Sequence, residues 1–214
     1  MPMKWGIYST DLSVENNLLT YLPNNCIKIV IPYVFADWYW GIEKALLRDA
    51  TYEFDTICKE SEYHFKYYNK EIILDLKYNQ KYDLCSILQL YDNNQIDFKY
   101  KERIEKGIQI LKTKEKTCDI KIVDYILENY KSKMLFYTPN HPSYFIFKEM
   151  SKSILEKLNI DYSNFDELTK NDNYILSGQF IFSKYDYYFH NFEFPISCND
   201  DYIKNIICEI YNLY

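Results

Sequence analysis

The chain has 214 residues, 48% hydrophobic and 26% charged, a globular balance long enough for one domain or for a core with an appendage. Its formal charge is −6, from 25 basic and 31 acidic residues, and Arg48 and Arg103 are its only arginines. An acidic chain this poor in guanidinium groups argues against nucleic acid as the main partner and against bidentate phosphate clamps.

In chain order, Trp5 to Tyr8 is a short apolar start. Asp11 to Ser13 reads as a helix cap, and Val14, Leu18, Leu19 and Leu22 form the stripe of a helix ending at Pro23. Cys26 to Ile31 is a nearly unbroken β-branched run, the pattern of a strand buried on both faces. It stops at Pro32, and Tyr33 to Gly41 follows as an aromatic loop. Ile42 to Asp49 has helical spacing. Tyr63 to Leu76 fits a hairpin turning at Asn69-Lys70 or a helix, and the pattern alone does not choose. Asp83 to Tyr91 reads as helical, and Phe98 to Lys116 as an exposed amphipathic helix with Ile104, Ile108 and Leu111 on one face. Asp119 is placed to cap a helix carrying Ile122, Val123, Ile126 and Leu127. A strand over Met134 to Tyr137 leads into Thr138-Pro-Asn-His-Pro-Ser143, and then into a helix with Phe147, Met150, Ile154 and Leu158 as its inner stripe. Tyr174 to Phe194 is partly strand-like. Asp200 or Asp201 caps a last helix bearing Ile203, Ile206, Ile207 and Ile210.

The alternation of helices and strands implies an α/β fold with a partly parallel sheet and helices on its faces. In such sheets ligands lie beyond the carboxyl ends of the strands. Two loops leave strands in that direction, Pro32 to Gly41 and Thr138 to Ser143, and they are expected to converge.

The second of these loops is the main candidate site. Its plain reading is a strand end and a helix start, with Pro142 in the first turn and Asn140 or His141 as the cap. Its functional reading adds an anion site at the helix N-terminus and His141 as a general base, because imidazole exchanges protons near neutral pH. Asn140 and Ser143 add neutral hydrogen-bonding groups. The aromatic loop is either a cover over the core or an apolar pocket wall.

His64 and His190 read as structural or surface residues. No paired histidine spacing and no H-E-x-x-H motif point to a metal. With four glycines, and neither G-x-x-x-x-G-K-[ST] nor G-x-G-x-x-G, nucleotide-dependent kinases and dehydrogenases are disfavoured. The charges from Lys99 to Lys116 read as a solvated helix face. The 24 tyrosines accompany abundant Asn, Ile and Lys, a bias that an AT-rich genome produces, so they are not taken as a stacking surface. The six cysteines lack C-x-x-C spacing and read as reduced, mostly buried thiols. No apolar run reaches ~18 residues, the start carries no secretory pattern, and a cytoplasmic location with no membrane span is expected.

The order of elements, "CDIKIVDYILENY" and above all Leu135 to Ser143 within "KMLFYTPNHPSYFIFKEMSKSILEKLNI" resemble the WcbI-type capsular polysaccharide biosynthesis proteins. The resemblance is strongest over 5–160, within a single α/β domain over 1–214 whose residues 161–214 form a less defined extension. It implies a Rossmann-like three-layer core, coenzyme A or acetyl-coenzyme A as acyl donor, a surface-polysaccharide sugar as acceptor, and an acyl (acetyl) transferase. On the matching positions it implies His141 as the catalytic residue. Asn140, Pro142 and Ser143 would then lie at the cofactor, with Tyr33 and Trp38 as walls. The family's opening Gly-Asn-Cys-Gln turn has no counterpart in this sequence. The expectation is therefore either an enzyme or a non-catalytic or truncated binding module of the same fold. An unstable remnant with an uncovered sheet edge is the plainest alternative.

Overall fold

The computed structural model describes residues 23–46, 65–171 and 180–214. The helix expected over Val14 to Leu22, and His64, lie outside them. In chain order the elements are a 3-10 turn at Asp37–Tyr39, β1 (Glu43–Leu46), β2 (Phe65–Tyr68), α1 (Lys70–Tyr78), α2 (Leu84–Asp92), α3 (Tyr100–Glu115), α4 (Val123–Asn129), β3 (Phe136–Thr138), β4 (His141–Pro142), α5 (Tyr144–Lys157), α6 (Phe165–Leu168), α7 (Lys184–His190) and α8 (Asp200–Leu213). β1 pairs antiparallel with β2, Glu43 opposite Tyr68, and β3 pairs antiparallel with β4. One isolated parallel bridge joins Phe182 and Cys198.

The chain divides into two compact units. The first draws on Trp38–Glu102 and Phe180–Tyr214, the second on Met3–Asp37 and Arg103–Gln179.

In the first unit α8 is the central strut. Ile203, Ile206, Ile207 and Ile210 recur at helical spacing and are all buried, against Ile73 and Leu76 of α1 and Ile87 and Tyr91 of α2. Asn199 caps α8, its side chain accepting the Tyr202 N–H at 3.0 Å, where Asp200 or Asp201 was expected. Asp200 instead accepts the Tyr91 hydroxyl at 2.6 Å. The ambiguous segment over Tyr63 to Leu76 resolves as both alternatives in series: strand β2, then Asn69 at φ 58° as the turn, then α1. Ile42 to Asp49, expected as a helix, starts as β1, because residues 43–46 find a ladder partner in β2. α7 falls in the stretch expected to be partly strand. It opens with a capping box in which Ser183 and Asp186 satisfy one another's backbone N–H groups.

In the second unit, Cys26 to Ile31 carries no ladder among the described residues, and Ile27 is 73% exposed, contrary to a strand buried on both faces. It is held instead at Val30, whose carbonyl accepts the Asp119 N–H at 2.7 Å and whose N–H donates to the Asp119 carboxylate at 2.7 Å. Asp119 therefore does not cap α4. The Glu115 carboxylate does that work, accepting the N–H groups of Ile122 and, at 2.9 Å, Val123. α5 buries Ile146 and Met150, while Phe147, expected inside, is 54% exposed. Among the described cysteines only Cys118 is buried, so the expectation of mostly buried thiols is corrected. No described helix is long and apolar enough to cross a membrane.

Candidate functional site

The loop between β3 and α5 is a tight hairpin. Pro139 and Asn140 form its tip, and the Ser143 N–H donates to the Leu135 carbonyl at 2.7 Å, closing the base. This places His141 and Pro142 in β4 and makes Ser143 the N-cap of α5, at φ −79° and ψ 172°. Pro142 is thus a strand residue rather than a first-turn residue, and neither Asn140 nor His141 is the cap. The hairpin exposes Asn140 and His141 at its rim.

His141 is held from one side. Its Nδ1 is hydrogen-bonded to Oγ1 of the buried Thr138, and the same Oγ1 donates to Asn140 Oδ1 at 3.2 Å. A hydroxyl has one proton. With that proton on Asn140, Nδ1 supplies its own hydrogen to Thr138 and the lone pair lies on Nε2, the tautomer a general base needs; with it on Nδ1, the hydrogen lies on Nε2 instead. Burial pushes the phenols of Tyr137 and Tyr144 up, so neither competes as a base at neutral pH. Tyr125 is pushed up to about 12, first by burial and then by the Glu149 charge.

The helix start holds no competing acid. Ser143 makes no side-chain cap bond, its first turn holds no acidic residue, and its hydroxyl is 0% exposed with no hydrogen-bond partner. The first N–H groups of a fourteen-residue helix lack intrahelical acceptors and attract phosphate or carboxylate. The residues present therefore fit the phosphate of a nucleotide-like cofactor.

The two loops expected to converge do so in this unit, for the Ala36 N–H donates to the Pro139 carbonyl at 2.8 Å. Tyr33 stacks with Phe35 at 6.3 Å, and the Lys114 ammonium lies 5.1 Å from the Tyr33 ring centroid and 5.3 Å from that of Phe35. Arg103 donates to the Asp37 carbonyl and fixes the far end of the same loop. Trp38 is buried in the first unit, where its carbonyl accepts from His190 Nε2 at 3.0 Å.

Two participants at this site, and two buried acids in the first unit, escaped the sequence reading. Thr138 stood inside the loop without a role, and its spacing of three from His141 becomes meaningful only once the hairpin folds back. Lys114 lay within a charge run that reads as solvent-facing. The buried acids Glu43 and Asp186 gave one usable sign, the Ser183-x-x-Asp186 capping box.

This fold and loop are those of a recognised protein class. The chain belongs to the WcbI polysaccharide biosynthesis enzyme family, whose model matches residues 7–163. A solved WcbI structure shares its fold at a TM-score of 0.52 and 16% identity, covering 86% of this chain. The alignment spans 61% of the length of that protein, which is described as a polysaccharide biosynthesis enzyme in its native form without a disulfide bond between coenzyme A and one of its cysteines. No curated protein sequence matches the chain significantly.

Proposed function

We propose that the protein is a coenzyme A-dependent acyltransferase that acetylates, or otherwise acylates, a sugar of a capsular or other surface polysaccharide. The observation that carries this reading is the Thr138–His141–Asn140 arrangement, which, with the Thr138 proton on Asn140, leaves His141 Nε2 as a base beside a helix N-terminus whose Ser143 side chain makes no cap bond. Coenzyme A, when bound, supplies the activated acyl thioester. His141 Nε2 would take the proton of the attacking sugar hydroxyl as the new oxygen–acyl bond forms and the carbon–sulfur bond breaks, and would return it to the leaving thiolate. Thr138 and Asn140 hold the imidazole tautomer and are positioning residues. The first-turn amides of α5, with Ser143, Asn140 and Pro142 around them, would hold a phosphate of the donor, and the Tyr33 ring would form an apolar wall; Trp38, buried in the first unit, is not part of this wall. The same reading keeps the Rossmann-like three-layer α/β core within a single domain, and the cytoplasmic location, as proposals.

The test is a His141→Ala variant assayed with acetyl-coenzyme A and a polysaccharide acceptor. It should keep its far-ultraviolet spectrum and melting temperature and lose turnover by ~10²–10⁴, the usual contribution of a general base. Unchanged turnover removes His141 from the mechanism. Coenzyme A binding by the parent chain with no turnover on any acceptor selects the non-catalytic binding module instead.

A further inference from the structure

The first unit carries an open cleft of about 700 Å³ that the acyl-transfer site does not use. Its volume falls in the range of small-molecule sites. Its lining includes Phe98 and Tyr100, Tyr188 and Phe189 of α7, and the charged pair Asp97 and Lys99.

Two features separate this cleft from an ordinary surface hollow. The first is the aromatic face. Tyr188 is 70% exposed and Phe189 is 46% exposed, neighbours on a seven-residue helix that buries Tyr185, Asp186 and His190. Adjacent large rings left in water on so short a helix are costly unless something covers them. Phe189 is also held still. Phe189 stacks on Tyr100 at 4.5 Å and 22°. Tyr100 is pinned from beneath, its hydroxyl donating at 2.6 Å to the buried Asp186, which also accepts the Gly41 N–H at 2.6 Å and the Ser183 N–H at 2.6 Å. A buried carboxylate thus fixes the ring that supports the platform.

The second feature is charge. Asp97 and Lys99 pair at 2.7 Å, and Lys101 and Glu102 follow on the same rim, so two cations meet two anions. A balanced rim gives no advantage to a phosphate or to a polyanion. It does offer carboxylate acceptors and ammonium donors beside flat apolar rings. A pyranose presents one C–H face that packs on an aromatic ring, and edge hydroxyls that both donate and accept. Its chemistry matches each part of this cleft.

We propose that the cleft is a saccharide-binding site that holds a neutral oligosaccharide segment, with a sugar ring on Tyr188 and Phe189 and its hydroxyls on the Asp97–Lys99 rim. The choice of a saccharide rests on the proposed function; the rigid aromatic platform does not.

The test uses the full chain and three neutral probes, maltohexaose, cellohexaose and N-acetylchitohexaose, titrated by calorimetry and by saturation-transfer NMR. At least one should bind with a millimolar Kd, with ring-proton saturation from aromatic side chains. Tyr188→Ala should weaken that binding by about tenfold, the upper end of an aromatic contact. Tyr188→Phe should leave it unchanged, because the ring and not the hydroxyl carries the contact. Inorganic phosphate should not compete. Binding of none of the three probes, or binding that Tyr188→Ala leaves intact, overturns the proposal. The same samples are titrated with coenzyme A. Coenzyme A binding without oligosaccharide binding sinks the cleft and spares the acyltransferase reading, and the opposite pair of results does the reverse.

Discussion

Glu43 carries its carboxyl where water does not reach. Loss of hydration is the largest influence on it and outweighs three hydrogen bonds that favour the charged form, from the Lys44 N–H at 2.7 Å, the Tyr202 hydroxyl at 2.8 Å and the Ile181 N–H at 3.0 Å; its pKa is pushed up to about 7. Asp186, also desolvated, is pushed up to about 6 despite its bonds to Tyr100, Ser183 and Gly41. Both folded values lie above the ordinary carboxyl range, so the native state holds more protons than the unfolded chain as the pH passes from about 4 to about 7. Stability from these two acids is therefore complete below their unfolded pKa and is lost as pH rises through about 6 and about 7. Exposed acids such as Asp119 and Asp166, held below the ordinary range chiefly by side-chain hydrogen bonds from lysines, act in the opposite sense and only at more acidic pH. A Glu43→Gln variant imitates the protonated side chain. Its melting temperature relative to the parent should be more favourable at about pH 8 than at about pH 5, by the equivalent of on the order of 3 kcal/mol at most. Calorimetric scans at the two pH values decide it, and a difference that does not change with pH would show that the charge is not felt. Nothing in the sequence around Glu43 announces this setting, because burial of a carboxyl is a property of packing from residues 138 and 159 positions away.

At the scale of elements, what the sequence made legible is what local periodicity decides. α8 was readable from its isoleucines because they repeat every three or four residues and no other phase is apolar. α2 was readable from Asp83, which accepts the Ser86 N–H at 2.7 Å as an N-cap should. α5 was found but turned: Ile146–Met150 and Phe147–Met150–Ile154 are both plausible stripes, and packing chose the first. β1 read as a helix because Ile42, Ala45 and Leu46 fit a spacing of three and four as well as a strand, and the deciding partner, β2, lies some twenty residues on. The platform on α7 was hidden for a different reason: among 24 tyrosines and 13 phenylalanines, Tyr188 and Phe189 carry no compositional contrast. Gly41 shows how closely these elements fit. A Cβ there would lie 2.8 Å from Phe98 Cγ and still nearer the Tyr100 hydroxyl, the group that bonds Asp186. Gly41→Ala must displace one of these rings. It should cost about 1–3 kcal/mol by overpacking, read as a lowered denaturation midpoint at unchanged slope. A wild-type midpoint would mean that Tyr100 can move freely, which would also weaken the case for a rigid platform.

For the whole molecule the question is whether the β3–α5 loop forms a working donor site. The loop was legible as a connection because proline, asparagine and histidine between a strand and a helix leave few alternatives, and it falls within the residues 7–163 that match the family. What the sequence hid was the cap at Ser143 and the Thr138 contact, both products of the hairpin closing on itself. Binding at this site should be visible as stability. A ligand held only by the folded chain adds RT ln(1 + [L]/Kd), so coenzyme A at about 100 times its Kd should contribute about 2.7 kcal/mol and raise Tm by roughly 5–11 °C for a chain of this size. His141→Ala should show the same shift, since its imidazole serves proton transfer rather than donor binding, and Tyr188→Ala should show it too. Pro142→Gly together with Ser143→Pro, which loosens the start of α5 and removes the Ser143 N–H that closes the loop, should abolish it. A shift in the parent that survives this pair of changes would place coenzyme A elsewhere on the chain, and no shift at any concentration would remove the donor assignment while leaving the fold and family intact.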